Sequence, residues 1–324
     1  MTRVPLAFPL LLLGSALSGM APARAADAEA VFARASPAVW TVKAELGPGK
    51  AAIGSAVAVL PDLLVTACHV VGSATQITIS QKGTQAPIGR VTRDPDPARD
   101  LCVLNTDTPV KLATVQIAPI ESVRVGQRVY AIGSPNGLEL TLSEGLVSAL
   151  RPRSPGELPA IQTSAPISSG SSGGGLFDGN AGLIGVTDNI SPGGENLGFA
   201  YPAQWLVELP QRIEAERAKW RELLPRVGVP VASNGEVKAS GYADLKNIER
   251  LPDVGIDAAQ LRVAYQQFLL QARPRAFLIT SDKKFGTVTR ASDLTAHIQG
   301  CAERKATCAV YAVDDTVVWG SRPN

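Results

Sequence analysis

From Ser36 to Ala200 the chain is built of short apolar or alternating runs. They are Val39–Glu45, Ile53–Leu60, Thr75–Ser80, Ile88–Thr92, Leu101–Asn105, Arg128–Gly133, Leu138–Leu150, Leu183–Thr187 and Asn196–Ala200. Turn residues separate them, as in Gly47-Pro48-Gly49, Pro61-Asp62, Pro135-Asn136-Gly137 and Pro192-Gly193-Gly194. Many short strands at regular spacing predict barrels or sandwiches, and no strand–helix alternation points to a parallel sheet. Trp205–Leu224 changes period: it is long, charged and amphipathic, and predicts a helix whose start Pro210 resets. Residues 226–240 are polar and read as a linker. A second unit begins near Gly241, with helices over Ala258–Gln271 and Ser292–Glu303, a strand over Ala276–Ser281 and a hairpin of Ala309–Val313 with Thr316–Trp319. Asp314-Asp315 sits at the hairpin tip, which reads as a turn rather than an acid pair. No internal repeat is visible.

Composition narrows the function. The chain has 324 residues, with 30 glycines and 24 prolines, which suits frequent turns. Its 31 basic residues include Arg3 and Arg24; without those two, 29 basic residues face 29 acidic ones. A net charge near zero argues against a nucleic-acid partner held by bulk electrostatics, and against a charged disordered tail. Only His69 and His297 are available for imidazole chemistry, and there is no CxxC or HExxH spacing. No metal or other cofactor is expected.

The first 25 residues have the form of a secretory signal: Arg3, an apolar stretch from Val4 to Leu17, then Ala23-Arg24-Ala25 before Ala26-Asp27. The apolar core is short and carries Pro5 and Pro9, which disfavours an anchor. Cleavage after Ala25, a periplasmic or secreted location and no stable membrane span are the expectations. Export makes disulfides relevant. Four cysteines allow three pairings. Cys68–Cys102 with Cys301–Cys308 keeps each bridge inside one predicted domain; buried free thiols at Cys68 and Cys102 are the alternative.

Three stretches carry chemistry. Leu64–Val71 is a strand running into His69, Asp100 heads the apolar strand Leu101–Leu104, and Gly170-Ser171-Ser172-Gly173-Gly174 surrounds a serine. A nucleophile, a base and an orienting acid are what acyl transfer requires. Serine is a poor nucleophile until an imidazole takes its proton, and a carboxylate holds that imidazole in the needed tautomer. Glycines beside the serine let backbone N–H groups converge on an oxyanion.

The stretch from about Phe32 to Pro202 resembles the trypsin-like serine proteases of the HtrA/Deg type. The residues that carry the resemblance are Gly54–Val59, Thr66–Val71, Asp100-Leu101, Val129–Gly137, Ser143–Ala149, Ile161–Gly174 and Leu197–Pro202. The resemblance implies a mainly β fold of two six-stranded antiparallel barrels, followed here by a small α+β C-terminal domain. It implies Ser172 as nucleophile, His69 as general base and acid, Asp100 as orienter, and the N–H groups of Gly170 and Ser172 as the oxyanion hole. The primary pocket would be bounded by Pro166, Ile167, Asp188, Asn189 and Ile190, with Pro166 where trypsins place an acid; a small or apolar residue, not Arg or Lys, is expected before the scissile bond, with Asp188 the nearby acid that would reverse this. Substrates would be polypeptides. Ser171 and Gly175 stand where the family commonly has Asn and Pro, so a looser oxyanion loop is expected, ordering with substrate. No PDZ-like carboxylate loop is visible after Pro202, so trimerisation and peptide-activated regulation are not carried over, and the oligomeric state stays open. The expected organisation is a signal peptide at 1–25, the protease domain at 26–205, helix and linker at 206–240 and the C-terminal domain at 241–324.

Two rival readings use the same residues. Gly170-x-Ser172-x-Gly174 also fits a nucleophile elbow with His297 downstream, but the glycines after Ser172 break the helix an elbow needs. His297 then reads as an ordinary residue on a surface helix. A protease fold that has lost activity and serves as a binding module is the other reading.

Overall fold

A computed structural model describes residues 27–106, 108–152, 157–190, 197–271 and 273–320; the expected signal at 1–25 lies outside them. The described chain opens with helix α1 (Ala28–Ala35), capped by the Asp27 carboxylate and buried through Val31 and Ala35. The first barrel follows, from β1 (Val39–Gly47), β2 (Lys50–Leu60), β3 (Leu63–Ala67), the one-turn helix α2 (Cys68–Val71), β4 (Gln76–Gln81), β5 (Thr84–Arg93) and β6 (Leu101–Thr106). It closes in the order β1-β2-β3-β6-β5-β4. The second barrel uses β7 (Arg128–Gly133), β8 (Thr141–Arg151), β9 (Ala160–Thr163), β10 (Gly175–Phe177), β11 (Leu183–Ile190) and β12 (Gly198–Pro202), closing as β10-β11-β12-β9-β8-β7. All named pairs in both barrels are antiparallel. Closure removes the exposed edges that strands this short cannot otherwise protect.

Inward residues of the first barrel, among them Val42, Val57, Leu64, Ile79 and Leu104, form a core that continues to Tyr130, Phe177 and Val186 of the second barrel. That continuity fixes how the barrels face each other. A separate cluster around Val129, Ile161, Leu176 and Ile184 fills the second barrel.

Helix α3 (Trp205–Leu223) leaves the second barrel and runs to the C-terminal unit, which holds α4 (Ala258–Leu270), β13 (Ala276–Thr280), β14 (Phe285–Val288), α5 (Ala291–Glu303), β15 (Cys308–Val313) and β16 (Thr316–Val317). The sheet order is β14-β13-β15-β16. Strand β13 alternates: Ala276 and Leu278 pack with Trp220, Leu224 and Leu294, whereas Phe277 and Ile279 pack with Leu261, Tyr265 and Phe268. The sheet is therefore covered on both faces by helices. Two details depart from the sequence reading. The helix begins at Trp205 and Pro210 lies inside it rather than resetting it. Residues 226–240 are not a free tether, because Val229, Val231 and Val237 join the core beside Trp220. The unit is docked on the first barrel: the Gln271 amide donates to the Gly72 carbonyl (2.9 Å), just beyond α2, and the Arg273 N–H reaches Val91 O (3.3 Å).

Candidate active site

Strand β3 ends in α2, so His69 is delivered directly from a buried strand to the surface between the barrels. Pairing of β3 with β6 sets Thr66 opposite Cys102 and Ala67 opposite Leu101, which brings Asp100 alongside α2. The Cys68–Cys102 disulfide and a Cys68 N–H bond to Asp100 O (2.8 Å) lock the two segments together. Cys301–Cys308 ties the end of α5 to the start of β15; with both sulfurs bonded, that pair and neighbouring His297 hold no thiolate for a metal.

Asp100 accepts twice from His69: its Oδ1 from the backbone N–H (3.0 Å), and its Oδ2 lies 2.5 Å from Nδ1. The hydrogen bond to Asp100 raises the His69 pKa, burial opposes it, and the charges of Asp100 and Asp188 add to the rise. Asp100 has a left-handed backbone, φ 45°, a conformation that costs a non-glycine residue about 1–2 kcal/mol. The loop before it absorbs that cost. Asp96 caps the single turn Pro97–Arg99. Asp94, fully buried, receives the Asp96 N–H (2.9 Å) and the guanidinium of Arg212 on α3 (2.8 Å). Arg99 lies 4.6 Å over the Trp205 ring and pairs with Glu208 at 2.9 Å.

Ser172 sits in the loop between β9 and β10. Its carbonyl accepts from the Ser55 N–H (2.8 Å), so the first barrel holds the loop of the second. The Ser55 hydroxyl donates to Gly170 O and accepts from Ser134 N, both at 2.8 Å. Gly173 donates to Thr187 O, and the Thr187 hydroxyl donates to Ser171 O. Ser171 N to Ser168 O, Gly174 N to Ser171 O and Asn136 N to Ser169 O complete the set. The loop is thus tied from both sides, despite lacking the Asn and Pro whose absence led to an expectation of looseness. The glycines are steric requirements: a Cβ on Gly170, at φ +93°, would lie 2.5 Å from Ser134 O.

The Ser172 hydroxyl donates to the main-chain carbonyl of Asp188 at 2.5 Å. Its single proton is therefore directed at that carbonyl and not at the imidazole. The Asp188 carboxylate lies 3.6 Å from His69 Nδ1. A small cavity of about 160 Å³ under the loop is lined by Pro166, Ile167, Ser168, Ser171, Ala131 and Thr187, among others. Pro166 and Ile167 line this cavity; Asp188 does not, and its carboxylate lies beside the imidazole. For Asn189 and Ile190 only the backbone in β11 is described. His297 is remote in sequence and fold, on α5. Asp314 and Asp315 turn the β15–β16 hairpin, where Asp314 accepts from Arg275 N and Asp315 pairs with Arg273 and Arg275. Ser55 escaped the sequence reading as a site residue. Its signal was a hydroxyl in an otherwise apolar strand, buried to 0% exposure.

Two closed antiparallel barrels with a serine, a histidine and an aspartate at their junction define a trypsin-like peptidase fold, and residues 54–186 match the trypsin-like peptidase domain family. Residues 54–186 thus carry a trypsin-like peptidase domain, and this part of the chain is similar to proteases of the HtrA type. Among its relatives, the periplasmic serine endoprotease DegP of Escherichia coli is 35% identical over 185 residues, covering 53% of this chain and 38% of DegP. The serine protease PepD of Mycobacterium tuberculosis is 35% identical over 204 residues, covering 54% of this chain and 43% of PepD. The solved HtrA-type protease AlgW with a decapeptide superposes with a TM-score of 0.51 at 27% identity, covering 58% of this chain and 68% of that one. The chain spans about two fifths of the length of the curated relatives it matches. Among the described residues no helix is long and apolar enough to cross a membrane.

Proposed function

We propose that this protein is an exported, periplasmic or secreted serine endopeptidase that cleaves polypeptides through an acyl-enzyme. The observation that carries the reading is the paired His69 and Asp100 facing a glycine-flanked serine across the barrel junction. In the reaction Ser172 Oγ swings from the Asp188 carbonyl to the imidazole and attacks the scissile carbonyl carbon. His69 takes the hydroxyl proton, and the N–H groups of Gly170 and Ser172 receive the oxyanion. Collapse breaks the C–N bond as His69 returns the proton to the leaving amine. Water then hydrolyses the ester by the same route. The apolar side chains of Pro166, Ile167 and Ala131 favour a small or apolar residue before the cleaved bond. The signal-like segment 1–25, the two disulfides and the periplasmic naming of relatives support export. The described residues between 206 and 320 form a helix, a packed connector and an α+β unit, for which we propose a stabilising or docking role on the first barrel.

The engagement of the Ser172 hydroxyl by Asp188 is the one observation that favours an inactive binding module instead. Casein digestion with sequencing of product ends, run beside fluorophosphonate labelling, separates the two. Wild type is expected to digest and to label, and Ser172→Ala to lose both, with a fall of at least about 10³-fold in kcat. A wild type that neither labels nor digests overturns the protease reading.

A further inference from the structure

Strands β11 and β12 are out of step where β11 reaches the site. Thr187 pairs with Ala200 and Ile190 with Gly198, so Asp188 and Asn189 together face the single residue Phe199. Such a bulge re-aims a side chain that regular alternation would point elsewhere. We propose that Asp188 is a second acid of the site, a positioning residue that shares the His69 imidazole with Asp100 through its side chain and holds the resting Ser172 hydroxyl on its main-chain carbonyl. The proposal rests on the protease reading and deepens it.

The geometry supports both halves. One ligand atom each of His69, Asp100 and Asp188 lie within 4.8 Å of one another. The Asp188 side chain is only 15% exposed. Two carboxylates this close repel each other, and a cation beside them relieves the repulsion. The groups that act on Asp188 are Asp100 from the loop before β6, His69 from α2 and the Tyr201 hydroxyl from β12. Burial raises the Asp188 pKa, with Asp100 acting the same way, while the Tyr201 hydrogen bond and His69 pull it down. Tyr201 in turn stacks on Trp205 at 5.4 Å, and Trp205 carries Arg99 of the acid loop. The second acid is thereby built into the same brace as the first.

The chemical consequence concerns the imidazolium formed when His69 takes the serine proton. With Asp188 ionised, that cation faces two carboxylates rather than one, and the imidazole is a stronger base. As pH falls, Asp188 takes up a proton, and the support weakens. The main-chain half acts on the nucleophile: the hydroxyl leaves one acceptor before it can use the other.

The chain has only two histidines, so His69 can be titrated by NMR in the intact protein with His297 as internal reference. In Asp188→Asn the His69 midpoint is expected to fall by about half a unit or more, with the His297 midpoint unmoved. The acid limb of kcat/KM on a peptide substrate shifts down with it, and kcat falls several-fold with KM little changed. Tyr201→Phe provides a second route: without its hydrogen bond Asp188 keeps its proton to higher pH, so the His69 midpoint falls too, but not in the Asp188→Asn background. An unmoved His69 midpoint in folded Asp188→Asn overturns the proposal; should that variant not fold, an unmoved midpoint in Tyr201→Phe does so. Failure of the wild type to label with fluorophosphonate strikes the protease reading alone, since the titration needs no turnover.

Discussion

The two loops that meet at this site are braced by opposite means. The acid loop, 94–100, is held by charge: Asp94 is buried against Arg212, Arg99 is clamped between Glu208 and Trp205, and both anchors come from α3, outside the barrels. The nucleophile loop, 168–174, contains no charged residue and is held by main-chain hydrogen bonds and the hydroxyls of Ser55 and Thr187. The acid loop has one task, to keep a carboxylate on an imidazole, and nothing needs to approach it, so it can be encased. On the proposed mechanism the nucleophile loop must offer bare N–H groups to a substrate atom. Side chains there would block the approach, so its rigidity is supplied by neighbours.

The sharpest way to break this contrast is to put a side chain into the nucleophile loop. In Gly173→Ala the new Cβ would lie 2.1 Å from Ser55 O and 2.3 Å from Thr66 Oγ1, at a φ of +86°. The expected result is a loss of about 100-fold or more in fluorophosphonate labelling rate, since a displaced oxyanion donor alone costs that much. Labelling at the wild-type rate would show that the loop is not sterically set. On the charged side, Arg212→Ala strands the buried Asp94 carboxylate. A fully buried pair would lose about 3–5 kcal/mol, and the partial exposure of Arg212 reduces that to about 2 kcal/mol, read as a lower urea midpoint. An unchanged midpoint would mean that α3 does not brace the acid loop. The smallest effect is expected where the loops' support is shared. Ser55→Ala leaves Gly170 O and Ser134 N without their hydroxyl partner, at a cost of about 1–2 kcal/mol. That corresponds to a fall of roughly tenfold in kcat with KM nearly constant, because the donor alignment matters most in the transition state. A change in KM alone would place Ser55 in substrate binding instead.

How far the sequence could be read varied with local signal. Strands with β-branched alternation, such as Val39–Gly47 and Leu101–Thr106, stand out at once. Strands β9, β10 and β14 do not, because four residues or fewer carry no period and β10 begins on a glycine. The polar stretch 226–240 looked like a tether because its few apolar residues are scattered, and they find a core only when Trp220 and the C-terminal sheet are brought beside them. At the site, His69, Asp100 and Ser172 each lie in a short segment with its own signature. Asp188 does not: the resemblance set it among residues bounding a pocket, and the β11 bulge lies where its carboxylate meets the imidazole.

The sequence by itself determined the chemical inventory: adjacent serines among glycines, two histidines of which one follows an apolar strand, and an acid at the mouth of a strand, in an order that resembles a known protease class. Residue type and spacing are properties of the covalent chain, so these need no fold to be seen. Tertiary structure decided which groups meet. Whether Asp188 faces a pocket or an imidazole, whether Ser55 grips Gly170, and whether Arg212 reaches Asp94 depend on register, a single bulge and the docking of α3. These are distances of a few ångströms between residues more than 100 positions apart, such as the 118 between Asp94 and Arg212, and local sequence does not encode them.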